Sequence, residues 1–269
     1  MDTLDEAPVY SEGETERTYL DVQATLGISK HMGGYRATDA LYELCHVGEA
    51  RDVLEVGCGI GVGPSYMASR FGCRVTAVDL STDMLAWAEA RARREGVRDR
   101  IVFRQADLRE LPFDDDMFDA VIVESVLAFV ADKAAAIAEL ARVTRPGGYV
   151  GVNESYWIEL PPQRLLEYGA SIGPQIVTEA EWRKLWEAAP LTDQRIRVIS
   201  LTASQELRDR IQWIGWRSVL PAWGRAIRLL VSDRRFRTAL KSQTDMPREL
   251  AAYLGDALFV GRKPLRESD

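Results

Sequence analysis

The sequence predicts a doubly wound α/β fold, a parallel sheet covered by helices on both faces. Three observations carry that expectation. Five short apolar runs, DVLEV (52–56), RVTAVD (74–79), IVFRQAD (101–107), FDAVIVES (118–125) and YVGVNES (149–155), have strand length and β-branched content. Segments with helical periodicity separate most of them, which calls for βαβ crossovers rather than hairpins. A glycine turn, GCGIGVG (57–63), follows the first run directly, at a strand end of the kind where such folds receive ligands.

The elements follow in chain order. The chain has 269 residues, enough for one large α/β domain with insertions or two small ones. Residues 1–14 read as a solvated, disordered tail, with six acids in the first sixteen positions and few large apolar residues. Residues 15–47 form a helical cap: a weak helical pattern from Thr15 to Ile28, the glycine turn HMGGY (31–35), and a helix over 37–47 with Ala40, Leu41, Leu44 and Cys45 on one face. The core occupies 48–155. Its first strand leads through the glycines into a helix ending near Phe71-Gly72. Ser81-Thr82 caps the next helix, which turns Met84, Leu85, Ala88 and Ala92 inward. Asp132 caps a third, with Ile137, Leu140 and Ala141 inward, and Pro146-Gly147-Gly148 stops it. Residues 156–203 carry a helix from about Thr178 and a strand, RIRVISLT (195–202); residues 204–254 are a helical insertion, and 255–269 hold a last strand, ALFVGRKP, and a tail.

Composition narrows the partners. A net charge of −7 argues against general nucleic-acid binding, because phosphate contacts demand clustered cations. No run approaches the roughly 20 apolar residues of a membrane span, and the acidic N-terminus lacks the basic-then-apolar pattern of a leader. Cys45, Cys58 and Cys73 have no paired spacing, so reduced thiols and a cytoplasmic setting are expected. No set of residues has metal-ligand spacing; the acids at 114–116 read as a solvated turn.

The glycine turn sharpens the ligand. Gly57, Gly59 and Gly61 give G-x-G-x-G, and Val62 stands where the dinucleotide fingerprint has its third glycine. Glu55, two residues before the first glycine, would repel a pyrophosphate but suits ammonium and sulfonium charges. Asp79 ends the second strand, placed either to accept from two ribose hydroxyls or to cap the following helix. Asp107 ends the third, placed to accept from an exocyclic amine such as that of adenine. An amino acid, a ribose and an adenine together describe S-adenosylmethionine.

At this point a family comes into view. DVLEVGCGIGVG, AVDLSTDML, FRQADLRELPFDDDMFDAVIVESVLAFVAD and ELARVTRPGGYV together resemble the class I S-adenosylmethionine-dependent methyltransferases over about residues 30–155. The nearest likeness is to the small-molecule branch of quinone-biosynthesis and tocopherol C-methyltransferases. The resemblance implies a Rossmann-like, seven-stranded sheet whose last strand is antiparallel. It implies that Glu55, Gly57, Cys58, Gly59 and Gly61 line the methionine and ribose, and that Asp79 binds the ribose hydroxyls. Leu80 and Met84 would pack beside the adenine, Asp107 and Leu108 would hold its edge, and Glu124 would lie near the cofactor. HMGGY resembles a His-x-Gly-aromatic segment that closes over the cofactor in tocopherol-type members, which brings in Gly33. After the fourth strand relatives often read V-L-H-H; here Val126-Leu127-Ala128-Phe129 has no histidine.

Methyl transfer from a sulfonium needs alignment above all, and a base only where the acceptor must lose a proton. His31 is the candidate base, and Glu154 and Tyr156, past the fifth strand, are candidates to face the acceptor. The insertion is the expected seat of acceptor choice. Trp213, Trp216, Leu220 and Trp223 recur at helical spacing, and Ala226, Ile227, Leu230 and Val231 continue the stripe. Residues 204–241 hold nine Arg and Lys against three acids. Three readings stand side by side: a helical cap whose aromatics pack on the sheet, a lid over a small-molecule acceptor with an anionic group, and a peripheral surface for anionic membrane. A cofactor-binding protein without turnover is the alternative to an enzyme. A nicotinamide-dependent oxidoreductase is disfavoured by Val62 and Glu55.

Overall fold

The computed structural model describes residues 19–26, 34–48, 51–171, 173–199, 216–233, 236–237, 247 and 249–266. Within them lie seven strands: β1 (Asp52–Val56), β2 (Arg74–Asp79), β3 (Ile101–Gln105), β4 (Phe118–Glu124), β5 (Thr144–Trp157), β6 (Thr192–Ile199) and β7 (Leu254–Arg262). They form one sheet in the order β3-β2-β1-β4-β5-β7-β6. β1 to β5 run parallel, and β7 is antiparallel to both β5 and β6. Strand order therefore reverses beside β1, between β2 and β4, and the carboxyl ends there form the crevice where open α/β sheets bind ligands.

Eight helices of eight residues or more flank the sheet among the described residues: α1 (Tyr19–Leu26), α2 (Gly34–Leu44), α3 (Val62–Arg70), α4 (Thr82–Arg94), α5 (Lys133–Val143), α6 (Gln163–Ser171), α7 (Glu179–Glu187) and α8 (Trp216–Ser232). The central strands carry apolar residues on both faces because both are covered: Val53, Leu54, Val56, Ala120, Val121, Ile122 and Val123 are all buried. One core lies among β4, β5, β7, α5 and α7, where Trp182 and Trp186 pack on Phe259. The other lies among β1, β2, α2 and α3. The caps fall where side-chain chemistry puts them. Ser81 accepts from the Met84 amide, Asp132 from the Ala135 amide, and Thr178 and Glu181 form a reciprocal capping box.

Three expectations are corrected. The helix α2 starts earlier than 37 and turns Ala37, Thr38, Leu41 and Tyr42 inward, leaving Ala40 and Leu44 half-buried. Thr38 faces inward because its hydroxyl donates to Glu124, a polar contact that apolar periodicity does not register. β5 begins at Thr144, ahead of Pro146-Gly147-Gly148, because α5 already ends at Val143 and Thr144 pairs with Phe118; the proline and glycines sit in a bulge before Tyr149 pairs with Ala120. On α8, which runs through Pro221, Ala222, Ala226 and Leu229 face inward, the last two against Leu26 and Phe236, while Trp223 is 66% exposed and Ile227 60%. The stripe Trp223-Ile227-Leu230-Val231 thus looks to solvent rather than packing on the sheet. Trp213 lies outside the described residues.

Candidate functional site

A cleft of about 1100 Å³ opens at the carboxyl ends of β1, β2, β3 and β4. Glu55, Gly57, Cys58, Gly59, Asp79, Leu80, Met84, Asp107, Leu108 and Glu124 all line it, so ten sequence-predicted residues from four strand ends converge. His31 and Gly33 lie outside the described residues. Gly34 and Tyr35, the end of HMGGY, open α2; the Tyr35 hydroxyl meets that of Tyr66 rather than the cleft.

The glycine turn is bonded tightly to the protein itself. The Gly57 and Cys58 amides donate to the Val78 carbonyl, the Gly61 amide to the Cys58 carbonyl, and the Gly59 amide to Asp79 Oδ2 at 2.8 Å. A phosphate nest needs such amides to be free, so the turn suits a cofactor approaching its backbone better than one held by pyrophosphate. Gly57, Gly59 and Gly61 all have positive φ, between 51° and 75°. Gly61 does not line the cleft: a Cβ there would lie 2.7 Å from the Ala88 Cβ, so its absence lets α3 and α4 close together. Arg91, buried on α4, donates from Nε to the Ile60 carbonyl and holds the turn from behind.

Four carboxylates stand around the cleft in four different states. Asp79 accepts from the Gly59 and Ser81 amides, and burial raises its pKa. Ser81, not Asp79, caps α4, which removes the capping alternative. Glu124 Oε2 accepts from the Thr38 hydroxyl at 2.8 Å and the Asn153 side-chain Nδ2 at 2.9 Å, tying α2 and β5 to the end of β4. Asp107 is gripped by Arg109, whose Nε and Nη2 edge donates to both carboxylate oxygens, and that pairing holds its carboxyl below the usual range. Glu55 is 6% exposed, and its Oε2 has no hydrogen-bond partner among the described residues. Burial first, then the nearby Glu124 and Asp79 charges, push its pKa well up. An unmatched buried carboxylate oxygen is costly by itself and calls for a cation or a strong donor.

Sequence reading missed several members of the site. Gly63, the fourth alternate glycine, brings its backbone against Glu55: a Cβ there would fall 2.3 Å from Oε1. Gln23 and Ala24 reach the cleft from α1, and Arg109, Val126, Phe129 and Gln175 complete other walls. Alternation of the glycines was the only signal for Gly63; Arg109, Val126 and Phe129 follow strand ends already marked, and Gln23, Ala24 and Gln175 are joined to the cleft by tertiary packing alone.

The expectation for Glu154 and Tyr156 is corrected. Both lie within β5 and are buried, and neither lines the cleft. Glu154 Oε1 accepts from the Val126 and Leu127 amides at 2.7 and 2.6 Å, so it supports the segment after β4 from beneath. Tyr156 packs against Gly255.

The sheet order and the reversal of strand order, with the glycine turn and the acids at the ends of β1, β2 and β3 beside it, define a Rossmann-like, doubly wound α/β fold. The family model described as "Methyltransferase domain" matches residues 54–152. An uncharacterized methyltransferase, YodH of Bacillus subtilis, is 31% identical over 173 residues, 62% of this chain and 71% of that protein. Methyltransferase GfsG of Streptomyces halstedii is 37% identical over 119 residues, 44% of this chain and 43% of that one. The solved structure of Haemonchus contortus phosphoethanolamine N-methyltransferase 2 in complex with S-adenosyl-L-methionine superimposes with a TM-score of 0.71 at 20% identity, covering 93% of this chain and 58% of that one. The chain belongs to the methyltransferase family. Its match spans about half the length of the first curated relatives, 43% and 55%.

Burial raises Glu154 from its ordinary 4.5 to about 7, against the pull of the Leu127, Val126 and Ala128 amides and the Lys133 charge. The folded chain therefore holds this proton more tightly than the unfolded one. Its stabilising effect is complete below about pH 4.5 and is lost as pH rises through 7. Urea unfolding from pH 4.5 to 8 is expected to show roughly 3 kcal/mol of pH-dependent loss that Glu154→Gln lacks. An identical slope in the variant contradicts this assignment.

Proposed function

We propose that the chain is an S-adenosylmethionine-dependent methyltransferase acting on a small molecule. The unmatched Glu55 oxygen at the edge of the glycine turn carries the reading, because the α-ammonium of that cofactor is the donor it calls for. The cofactor when bound supplies a methyl group activated by the sulfonium to which it is attached. Asp79 accepts from the ribose hydroxyls while keeping its amide donors, since each carboxylate oxygen takes more than one bond. Leu80 and Met84 give the adenine an apolar wall, and Asp107 and Leu108 meet its edge. Gly57, Cys58 and Gly59 admit the sulfonium side, with Glu124 beside them. The family match and the complex with S-adenosyl-L-methionine of a structural neighbour support the reading.

The reaction asks the protein for in-line alignment, which supplies on the order of 7–11 kcal/mol where it is well made. The acceptor wall, with Phe129, Val130 and Gln175, suits an apolar or amphipathic molecule, in keeping with the likeness to quinone and tocopherol enzymes. His31 is the proposed base for an acceptor that must lose a proton. Calorimetry with S-adenosylmethionine, S-adenosylhomocysteine and NAD is expected to show binding of the first two only. Asp79→Asn is expected to weaken them about tenfold to a hundredfold. NAD binding, or wild-type affinity in the variant, would overturn the site.

A second proposal concerns the insertion. The outward stripe of Trp223, Ile227, Leu230 and Val231, beside exposed Arg228 and Arg237, has the form of a helix that lies on an anionic lipid surface. In this reading the alternative to turnover, a cofactor-binding protein at a membrane, uses the same face. Sedimentation with phosphatidylserine vesicles at low salt is expected to carry the chain down, and Trp223→Ser with Ile227→Ser to prevent it. A chain that stays in the supernatant removes the proposal.

A further inference from the structure

The cleft's least explained wall is α1, a single short helix that contributes Gln23 and Ala24. Eight residues of helix have little stability alone, so something must hold α1 where it stands. Ala24 packs with Ile60, Val62, Met84 and Trp87, linking α1 to the glycine turn and α4. Trp87 donates from Nε1 to the Ala24 carbonyl at 2.9 Å. Two residues on, Arg225 of α8 donates from Nη2 to the Leu26 carbonyl at 2.5 Å. The same guanidinium lies over the Trp87 ring, 4.4 Å from its centroid. Leu26 then packs on Phe236, Ala226 and Leu229. The carbonyls of α1's last turn are thus bonded from both sides, by a cation and an indole that also contact each other.

We infer that Arg225 and Trp87 are positioning residues, a clamp by which the insertion holds α1 against the cofactor cleft. A cation suits this place because the last carbonyls of a helix carry partial negative charge. The indole face receives that cation while its N–H serves the adjacent carbonyl, so losing either partner weakens both bonds. Neither residue lines the cleft, and neither is asked to touch the acceptor. The insertion then acts on the cofactor end: it sets how firmly Gln23 and Ala24 close the wall. The inference rests on the proposed cofactor occupying this cleft.

Hydrogen exchange on the whole chain, with and without S-adenosylhomocysteine, tests it together with Arg225→Met, Arg225→Lys and Trp87→Phe. In the wild type the ligand is expected to slow exchange over 19–26 along with 55–61. Arg225→Met is expected to speed exchange over 19–26 and to raise the S-adenosylhomocysteine dissociation rate about tenfold, as loss of one charged hydrogen bond and one cation–π contact implies. Arg225→Lys should recover part of the loss, and Trp87→Phe, which keeps a ring, should fall between. Ligand protection at 55–61 without any at 19–26 overturns the clamp alone. Protection at neither overturns the clamp and the cofactor reading together. Arg225→Met with unchanged exchange over 19–26 overturns the clamp whatever its affinity, and the wild-type arm decides the matter if the variants do not fold.

Discussion

The site is organised around a carboxylate that the protein buries without fully pairing it. Glu55 ends 6% exposed on a central strand of the sheet, with Asp79 and Glu124 near enough to raise its pKa further. Holding that group in place imposes the surrounding sequence. Gly63 must lack a Cβ because the position is 2.3 Å from Glu55 Oε1. Gly57 is similarly constrained by Val126, whose methyl would lie 2.2 Å from a Cβ there. Four amides of the turn, those of Gly57, Cys58, Gly59 and Gly61, are satisfied by β2, by Asp79 and by the turn's own carbonyl.

The other acids show why Glu55 is the distinctive one. Asp79 has amide donors, Glu124 has a threonine and an asparagine, and Asp107 has an arginine. Each is already bonded within the fold and able to serve a ligand as an additional acceptor. Only Glu55, among these four, keeps a buried oxygen for which the described residues provide no donor. Burying unmatched polarity lowers the stability of the empty site and gives a cationic ligand more to gain on arrival.

The sheet and its strand-end acids were legible in the sequence because both are local. β-branched runs, glycine turns and helix caps depend on residues a few positions apart, and β1 and β2 fall on their predicted bounds. Where side chains point depends on partners far along the chain. Trp223 and Ile227 have the same apolar character whether they face in or out, and only the contacts of Ala226 and Leu229 with Leu26 decide between the faces. Glu154 read as a pocket acid because it lies near a strand end, yet a strand running to Trp157 buries it under the Val126–Leu127 amides. α1 entered the site through Trp87 and Arg225, residues 63 and 199 positions from their partners, a separation no periodicity reports.

The central claim is that Glu55 recognises the α-ammonium of the cofactor's amino-acid end. Calorimetric affinities of S-adenosylhomocysteine and of methylthioadenosine, which lacks that end, measure it directly in wild type and Glu55→Gln. The account predicts that wild type prefers S-adenosylhomocysteine by about tenfold or more, and that the variant loses most of this preference while binding methylthioadenosine as before. A preference that survives undiminished in Glu55→Gln contradicts it.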